Sequence, residues 1–305
     1  MTDQRVLLID VDSKIPNLAL MKLSSWHKSQ GDQVGFNITN PSKIYASVIF
    51  KKNAHKLDGL KFFYPDAEII TGGSGIDLKA TLTSEIEQLK PDYELYPQMD
   101  YSLGFTTRGC IRNCYFCVVP KKEGKITRWQ HPEQFHDPRF STIQLLDNNW
   151  LADREWFFET SSWIIKNDLK LIENGLDIRL LDSELAEQIA RFKMAKPLKF
   201  AFDSDKDKQP VLDGLKLLKN AGVNVRQNVQ FYVYVHDDSQ FESGLKRCRI
   251  LKEQGTNPFV MYNIDNKRTL RIKHLQRWAN RKWLFWGMDY IQYRTASSRM
   301  NPSRN

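Results

Sequence analysis

Short apolar runs alternate with amphipathic helical patterns along most of this chain, and that alternation restricts its fold more than any other feature. RVLLIDV (5–11) has the character of a buried strand, and IPNLALMKLSSWHKSQGD places apolar residues at helical spacing until Gly31. KIYASVIF (43–50) repeats the strand pattern, and EIITGGSG (68–75) reads as a strand running into a glycine turn. Strand, helix and strand in succession imply parallel pairing with helices packed on the sheet. Residues 1–100 therefore read as a small α/β domain, with a proline-containing linker from Leu89 to Met99 at its end.

A second series follows. Its strand patterns are YSLGFTT (101–107), TIQLLD (142–147), LDIRLL (176–181), LKFAFD (198–203), VQFYVYV (229–235) and PFVMYN (258–263), with helical patterns between them. About six β/α units are too few to close an eight-stranded barrel. The expected fold class is thus α/β: a small N-terminal parallel-sheet domain, then a partial (β/α)6 barrel over 101–265. Its ligand site belongs at the carboxyl ends of the strands.

Three of the chain's 4 cysteines fall within GFTTRGCIRNCYFCVVPKKEGK (104–125), spaced Cys110-x3-Cys114-x2-Cys117. Four cysteines make no disulfide framework in a chain of 305 residues, so the cluster reads as metal-binding or catalytic. Three thiolates can hold three irons of a [4Fe–4S] cluster and leave the fourth iron open to a small molecule. A structural zinc would need a fourth ligand, which His131 or His136 would have to supply. The triple is not the pair of two-ligand knuckles that zinc sites usually use.

The hydrophobic fraction of 41% and charged fraction of 27% are those of a globular protein. The sequence contains no apolar run long enough for a transmembrane helix, and MTDQRVLLIDVDSK lacks a signal-peptide pattern. A cytoplasmic location is the expectation.

In these residues the chain resembles the radical S-adenosylmethionine (SAM) superfamily, whose signature is C-x3-C-x-aromatic-C. Phe116 is the aromatic here. The flanking GFTTRGC and the spacing from Cys117 to Pro120 are similar to the subgroup with a cobalamin-binding-like domain ahead of its barrel. The resemblance implies a [4Fe–4S] cluster on Cys110, Cys114 and Cys117 whose open iron chelates SAM. It implies reductive cleavage to methionine and a 5′-deoxyadenosyl radical that abstracts hydrogen from a substrate. It also implies an external electron donor, flavodoxin-like or ferredoxin-like.

A SAM site needs oxygen acceptors near the amine and a cation near the carboxylate. Asp147, Asn148 and Asn149 stand where the family carries Gly-Gly-Glu for the amine. Asp177 and Arg179 alternate on one face of the expected strand 176–181. Arg179 would meet the SAM carboxylate and Asp177 the ribose or substrate; the alternative is a buried pair that fixes the interior. Asp203 is a further cofactor candidate or a loop cap, and Tyr234 and His236 would approach adenine or substrate unless they are structural. Gly72-Gly73-Ser74-Gly75 lacks the P-loop lysine and reads as a tight turn. The D-x-H-x-x-G motif that gives cobalt a histidine is absent, which leaves cobalamin an open alternative, with a cobalamin-dependent methyltransferase as the corresponding function. Cys248, in a helical pattern, reads as a small buried side chain, and no further cysteines exist for a second cluster.

Residues 266–305 hold ten Lys/Arg against Asp289 alone, a net +9 that equals the charge of the whole chain. Those cations are Lys267, Arg268, Arg271, Lys273, Arg277, Arg281, Lys282, Arg294, Arg299 and Arg304. Trp278, Trp283, Phe285, Trp286, Tyr290 and Tyr293 are interleaved with them. This composition suits a nucleic acid or other polyanion, with phosphates on cations and bases on rings. A helix that closes the barrel, or one that touches an anionic membrane, has the same composition. A non-enzymatic zinc or nucleic-acid-binding module is the remaining alternative function.

Overall fold

The computed structural model describes residues 4–263 and 268–300, with side chains to residue 295. Its first sheet grows from β1 (Arg5–Asp10), whose Val6, Leu7 and Leu8 are buried. The helix Leu18–Ser29 follows, capped by the Asn17 side chain, which accepts from the Leu20 amide at 3.2 Å. β1 pairs in parallel with β2 (Gln33–Gly35) and β3 (Lys43–Ser47), and β3 pairs with β4 (Glu68–Gly72), giving the order β2-β1-β3-β4. Residues after Val48 in the expected second strand, and after Gly72 in the third, leave the sheet for turns.

The second series opens with β5 (Ser102–Gly104). A short antiparallel ribbon, β6 (Thr107–Arg108) with β7 (Thr127–Arg128), then brackets the cysteine loop. β8 (Thr142–Leu145), β9 (Lys170–Ile172) and β10 (Lys193–Met194) join β5 in a parallel sheet of order β10-β9-β8-β5. β11 (Leu198–Ala201), β12 (Val229–Val235) and β13 (Asn257–Tyr262) form another parallel sheet, and a single parallel bridge, Leu176 to Phe200, links the two. The molecule is α/β with parallel sheets, as expected.

One expected strand is displaced. LDIRLL (176–181) is not a strand beyond its bridge residue: Ile178–Leu180 is a 3-10 turn. The Asp177 carboxylate accepts from the Arg179 amide at 3.1 Å, and the Leu181 amide donates to the Ile178 carbonyl at 3.2 Å. A local side-chain bond of this kind offers the backbone an alternative to the ladder. The strand itself is β9, six residues earlier. Asp177 and Arg179 therefore do not alternate along a strand.

The two units are pinned together. Met21, Tyr93, Met99 and Leu103 share a buried cluster, and the Tyr93 hydroxyl donates to the Phe135 carbonyl at 2.5 Å. Buried Lys22 donates to Gln130 at 2.9 Å.

The main core runs from Phe135 to Tyr293 and takes in much of the C-terminal segment. That segment forms helices Leu270–Ala279, Lys282–Gly287 and Tyr290–Met300. Trp278, Phe285, Tyr290 and Tyr293 are buried in the core, and the Trp278 indole donates to the Met288 carbonyl at 3.1 Å. Trp286 lies under Arg226 at 4.0 Å, whereas Trp283 is 67% exposed. Arg271 pairs with Asp238 and Glu242, while Arg277, Arg281 and Lys282 are exposed. The expected boundary at residues 265–266, Lys267 and Arg304 lie outside the described residues, as does the side chain of Arg299.

Trp278→Ala should accordingly cost about 3–5 kcal/mol, the usual penalty for deleting a buried tryptophan. Neutralising Arg277, Arg281 and Lys282 should change stability by less than about 0.5 kcal/mol per site. Urea denaturation of both variants checks the contrast.

Candidate cluster and cofactor site

The loop between β6 and β7 begins at Gly109, whose φ of +79° lies in the left-handed region. A Cβ here would stand 2.1 Å from the Lys125 carbonyl oxygen, so the neck of the loop closes only around glycine. The Cys110 amide donates to the Gly124 carbonyl at 3.2 Å, and the Cys117 amide to the Cys114 carbonyl at 2.9 Å. These bonds fold the three cysteines back into one turn, and each is half-buried.

Burial pushes up the Cys114 and Cys117 thiols, and repulsion from neighbouring thiols adds to it: Cys117 and Cys110 act on Cys114, and Cys110 on Cys117. Two donors reach Cys110 Sγ: the Arg112 amide at 3.3 Å and Asn149 Nδ2 at 3.7 Å. Among the described residues, no three His, Cys, Asp or Glu side chains stand as a preformed metal cage. Cys248 is remote in character, buried in the core with its thiol pushed up to about 12.

The carboxyl ends of the strands converge on this loop. Phe116 stacks on Tyr234, just before the end of β12, at 4.1 Å and 21°. Tyr115 meets His236 edge-on at 5.7 Å. Arg112 donates to Asp177 at 2.7 Å, and Asp177 also accepts from Arg179 Nε at 2.6 Å. Both guanidinium groups hold the Asp177 carboxyl below its ordinary value against the opposing effect of burial. Arg179 continues to Asp207 at 3.4 Å and acts electrostatically on Cys114. Asp203 accepts from the Tyr234 amide at 2.8 Å, and its charge raises both Cys114 and Cys117. Burial raises Asp203 in turn.

Asp147 has a different occupation. Its Oδ2 accepts from the Thr106 amide at 2.9 Å. Its Oδ1 accepts from the Thr106 hydroxyl, the Thr107 amide and the Thr107 hydroxyl, each at 2.6 Å. The carboxylate anchors the chain leading into the cysteine loop. Asn148 donates to Glu123 at 2.7 Å, and Glu123 also takes the Gly109 amide at 3.0 Å and Arg108 at 3.2 Å. Of the three expected amine ligands, Asn149 alone keeps a buried oxygen, Oδ1, with no protein partner.

A residue not anticipated from the sequence stands beside it. Glu173 follows β9 directly and is fully buried. Its Oε1 accepts from the Gly175 amide, and its Oε2 has no protein partner. The Gly175 turn runs against the Asp147–Trp150 turn, the Trp150 amide donating to the Gly175 carbonyl at 3.1 Å. The available signal was an acid placed directly after an apolar pair in KLIENG. Burial first, then repulsion from Asp147, drives the Glu173 carboxyl well above its ordinary 4.5.

A raised acid pKa means that the native state holds more protons than the unfolded one, so stability falls as pH rises past the unfolded value. Glu173→Gln should remove that slope. As pH rises from about 5 the parent should lose thermal stability relative to the variant, a trend that melting curves at successive pH values would register.

The two histidines that zinc would need are engaged elsewhere. His131 accepts from the Glu133 amide at 3.4 Å as the cap of Pro132–Phe135, and His136 hydrogen-bonds Ser102 at 3.0 Å. No protein-family model matches this chain, and no curated protein matches it.

Proposed function

We propose that this chain is a radical SAM enzyme, built on a partial (β/α)6 barrel, with a [4Fe–4S] cluster on Cys110, Cys114 and Cys117. The observation that carries the reading is the gathering of Asn149, Asp177, Arg179 and Asp203, from segments that follow successive strands, around the cysteine loop, whose Phe116 stacks on Tyr234 near the end of β12. The donor set suits an iron–sulfur cluster: three soft thiols on one loop, with both candidate zinc histidines otherwise engaged. Cluster binding would draw the thiols to thiolates, lifting the protonation that burial imposes.

When bound, the cluster and SAM supply the one-electron cleavage that yields a 5′-deoxyadenosyl radical. The chain's own part is placement. Asn149 Oδ1 and Glu173 Oε2 are buried acceptors suited to a cationic amine, and an ammonium beside Glu173 would favour its ionised form. Arg112 and Arg179, tied together by Asp177, offer cations for a carboxylate. The Phe116–Tyr234 stack offers an aromatic surface to a purine.

The exposed Arg277, Arg281 and Lys282 support a polyanionic substrate, nucleic acid foremost, as part of this reading. Cobalamin stays the alternative addition: the subgroup resemblance and the parallel N-terminal sheet accord with it, and the D-x-H-x-x-G motif that would give cobalt a histidine is absent. Anaerobic reconstitution with iron and sulfide tests the cluster assignment. About four irons and four sulfides per chain are expected. Tight zinc without sulfide would refute it.

A further inference from the structure

The order β2-β1-β3-β4 reverses between β1 and β3, and in open parallel sheets ligands bind outside the carboxyl ends of the strands at such a switch point. A cavity of about 570 Å³ lies there. Its walls come from the segments after β1, β3 and β4, from the helix Leu18–Ser29, and from both flanks of the cysteine loop through Phe105, Arg108 and Lys122. Ile15, Ile49 and Ile70, exposed by 42%, 38% and 38%, all line it. Apolar side chains gathered around an open cavity mark a ligand surface more often than isolated ones do. The turn at its floor is built for close approach: Gly73 has φ +92°, and a Cβ there would meet the Val48 carbonyl oxygen at 2.4 Å.

The charges at the wall are mostly positive. Lys14, Lys22, Arg108 and Lys122 line the cavity against Glu87 alone. Arg108 is neutralised by Glu123, and Lys22 is bonded to Gln130 and to the Glu87 carbonyl. Lys122, half-buried, is held by the Ser74 hydroxyl at 2.9 Å, and Lys14 stands over the Phe50 ring at 5.9 Å. These two ammonium groups sit at a hollow whose lining is mostly apolar.

We infer that this cavity is a second small-molecule site, for an amphipathic anion that has an apolar body and one carboxylate, phosphate or sulfonate group placed at Lys14 and Lys122. The inference is independent of the radical chemistry and requires no cluster. Its volume falls within the range of drug-sized ligands.

Two fluorescent probes separate the apolar and ionic parts: anilinonaphthalene sulfonate and the uncharged phenylnaphthylamine. The full chain should bind the sulfonate at one saturable site. Replacing both lysines, Lys14→Met with Lys122→Met, should weaken the sulfonate by about tenfold and the neutral probe by less than about twofold. Ala80→Trp, at an exposed position on the wall, should abolish binding of both probes with the melting curve unchanged. Absence of saturable sulfonate binding overturns the proposal. So does sulfonate binding that the double lysine variant leaves unchanged, which holds even if the tryptophan variant fails to fold.

Discussion

Replacing Cys110, Cys114 and Cys117 together by alanine is expected to take bound iron and sulfide from about four each per chain to near zero, with the fold retained. The loss should be total because three thiolates are the fewest that hold a cluster of this type with one open iron, and the loop offers no substitute donor. The fold should survive because the thiols are half-buried and carry little of its cohesion. Their hydrogen bonds are few: Cys110 Sγ accepts from one backbone amide at 3.3 Å and one side-chain amide at 3.7 Å, and Cys117 from the Val119 amide. The loop is shaped instead by Gly109, by the Gly124 and Cys114 carbonyls, and by Glu123, none of which the substitutions touch. Cys248→Ala is the matching control. It removes a buried core thiol and should leave iron content unchanged. Iron and acid-labile sulfide analysis with circular dichroism reads both results. Iron retained in the triple variant would move the metal site elsewhere.

Asp147→Ala should behave in the opposite way, damaging the fold first and the cluster as a consequence. Its carboxylate accepts four hydrogen bonds from Thr106 and Thr107, and all three residues are buried. Alanine strands two amides and two hydroxyls in a dry interior. At about 1–3 kcal/mol for each buried donor left unpaired, partly relieved by relaxation, a loss of at least about 3–5 kcal/mol is expected. Such a loss is a large fraction of a typical domain's stability. Because Thr106 and Thr107 lead directly into the cysteine loop, cluster uptake should fall with it. Thermal melting and iron content, measured together, distinguish this from a mere ligand role. A variant with parental stability but weakened SAM binding would return Asp147 to the cofactor.

The hydrogen bonds of Asp147 separate what a short sequence pattern conveys from what only the fold supplies. The cysteine spacing, the aromatic Phe116 and the strand-end location of Asn149, Asp203 and Tyr234 were all legible, because each depends on a short local pattern or on the rule that parallel strands present ligands at their carboxyl ends. The occupation of Asp147 was not legible, since its partners lie 40 and 41 residues away. β9 was missed because it is three residues long and is followed at once by a glutamate, whereas LDIRLL shows the better strand pattern. There the Asp177 side chain, bonding the backbone two residues on, overrides the apolar alternation. Glu173 was hidden by the same displacement. In the C-terminal segment, composition alone could not separate ring stacking on a ligand from burial. Trp278 and Phe285 are core, Trp283 is exposed, and the helical period that sorts them had to be read against the packing of α/β layers around it.

Reductive cleavage of SAM tests the central claim most directly. Cluster-loaded protein, kept anaerobic and given SAM with a strong one-electron reductant, should release methionine and 5′-deoxyadenosine in equal amounts, slowly and without added substrate. SAM that binds but stays intact under those reducing conditions would contradict the radical mechanism.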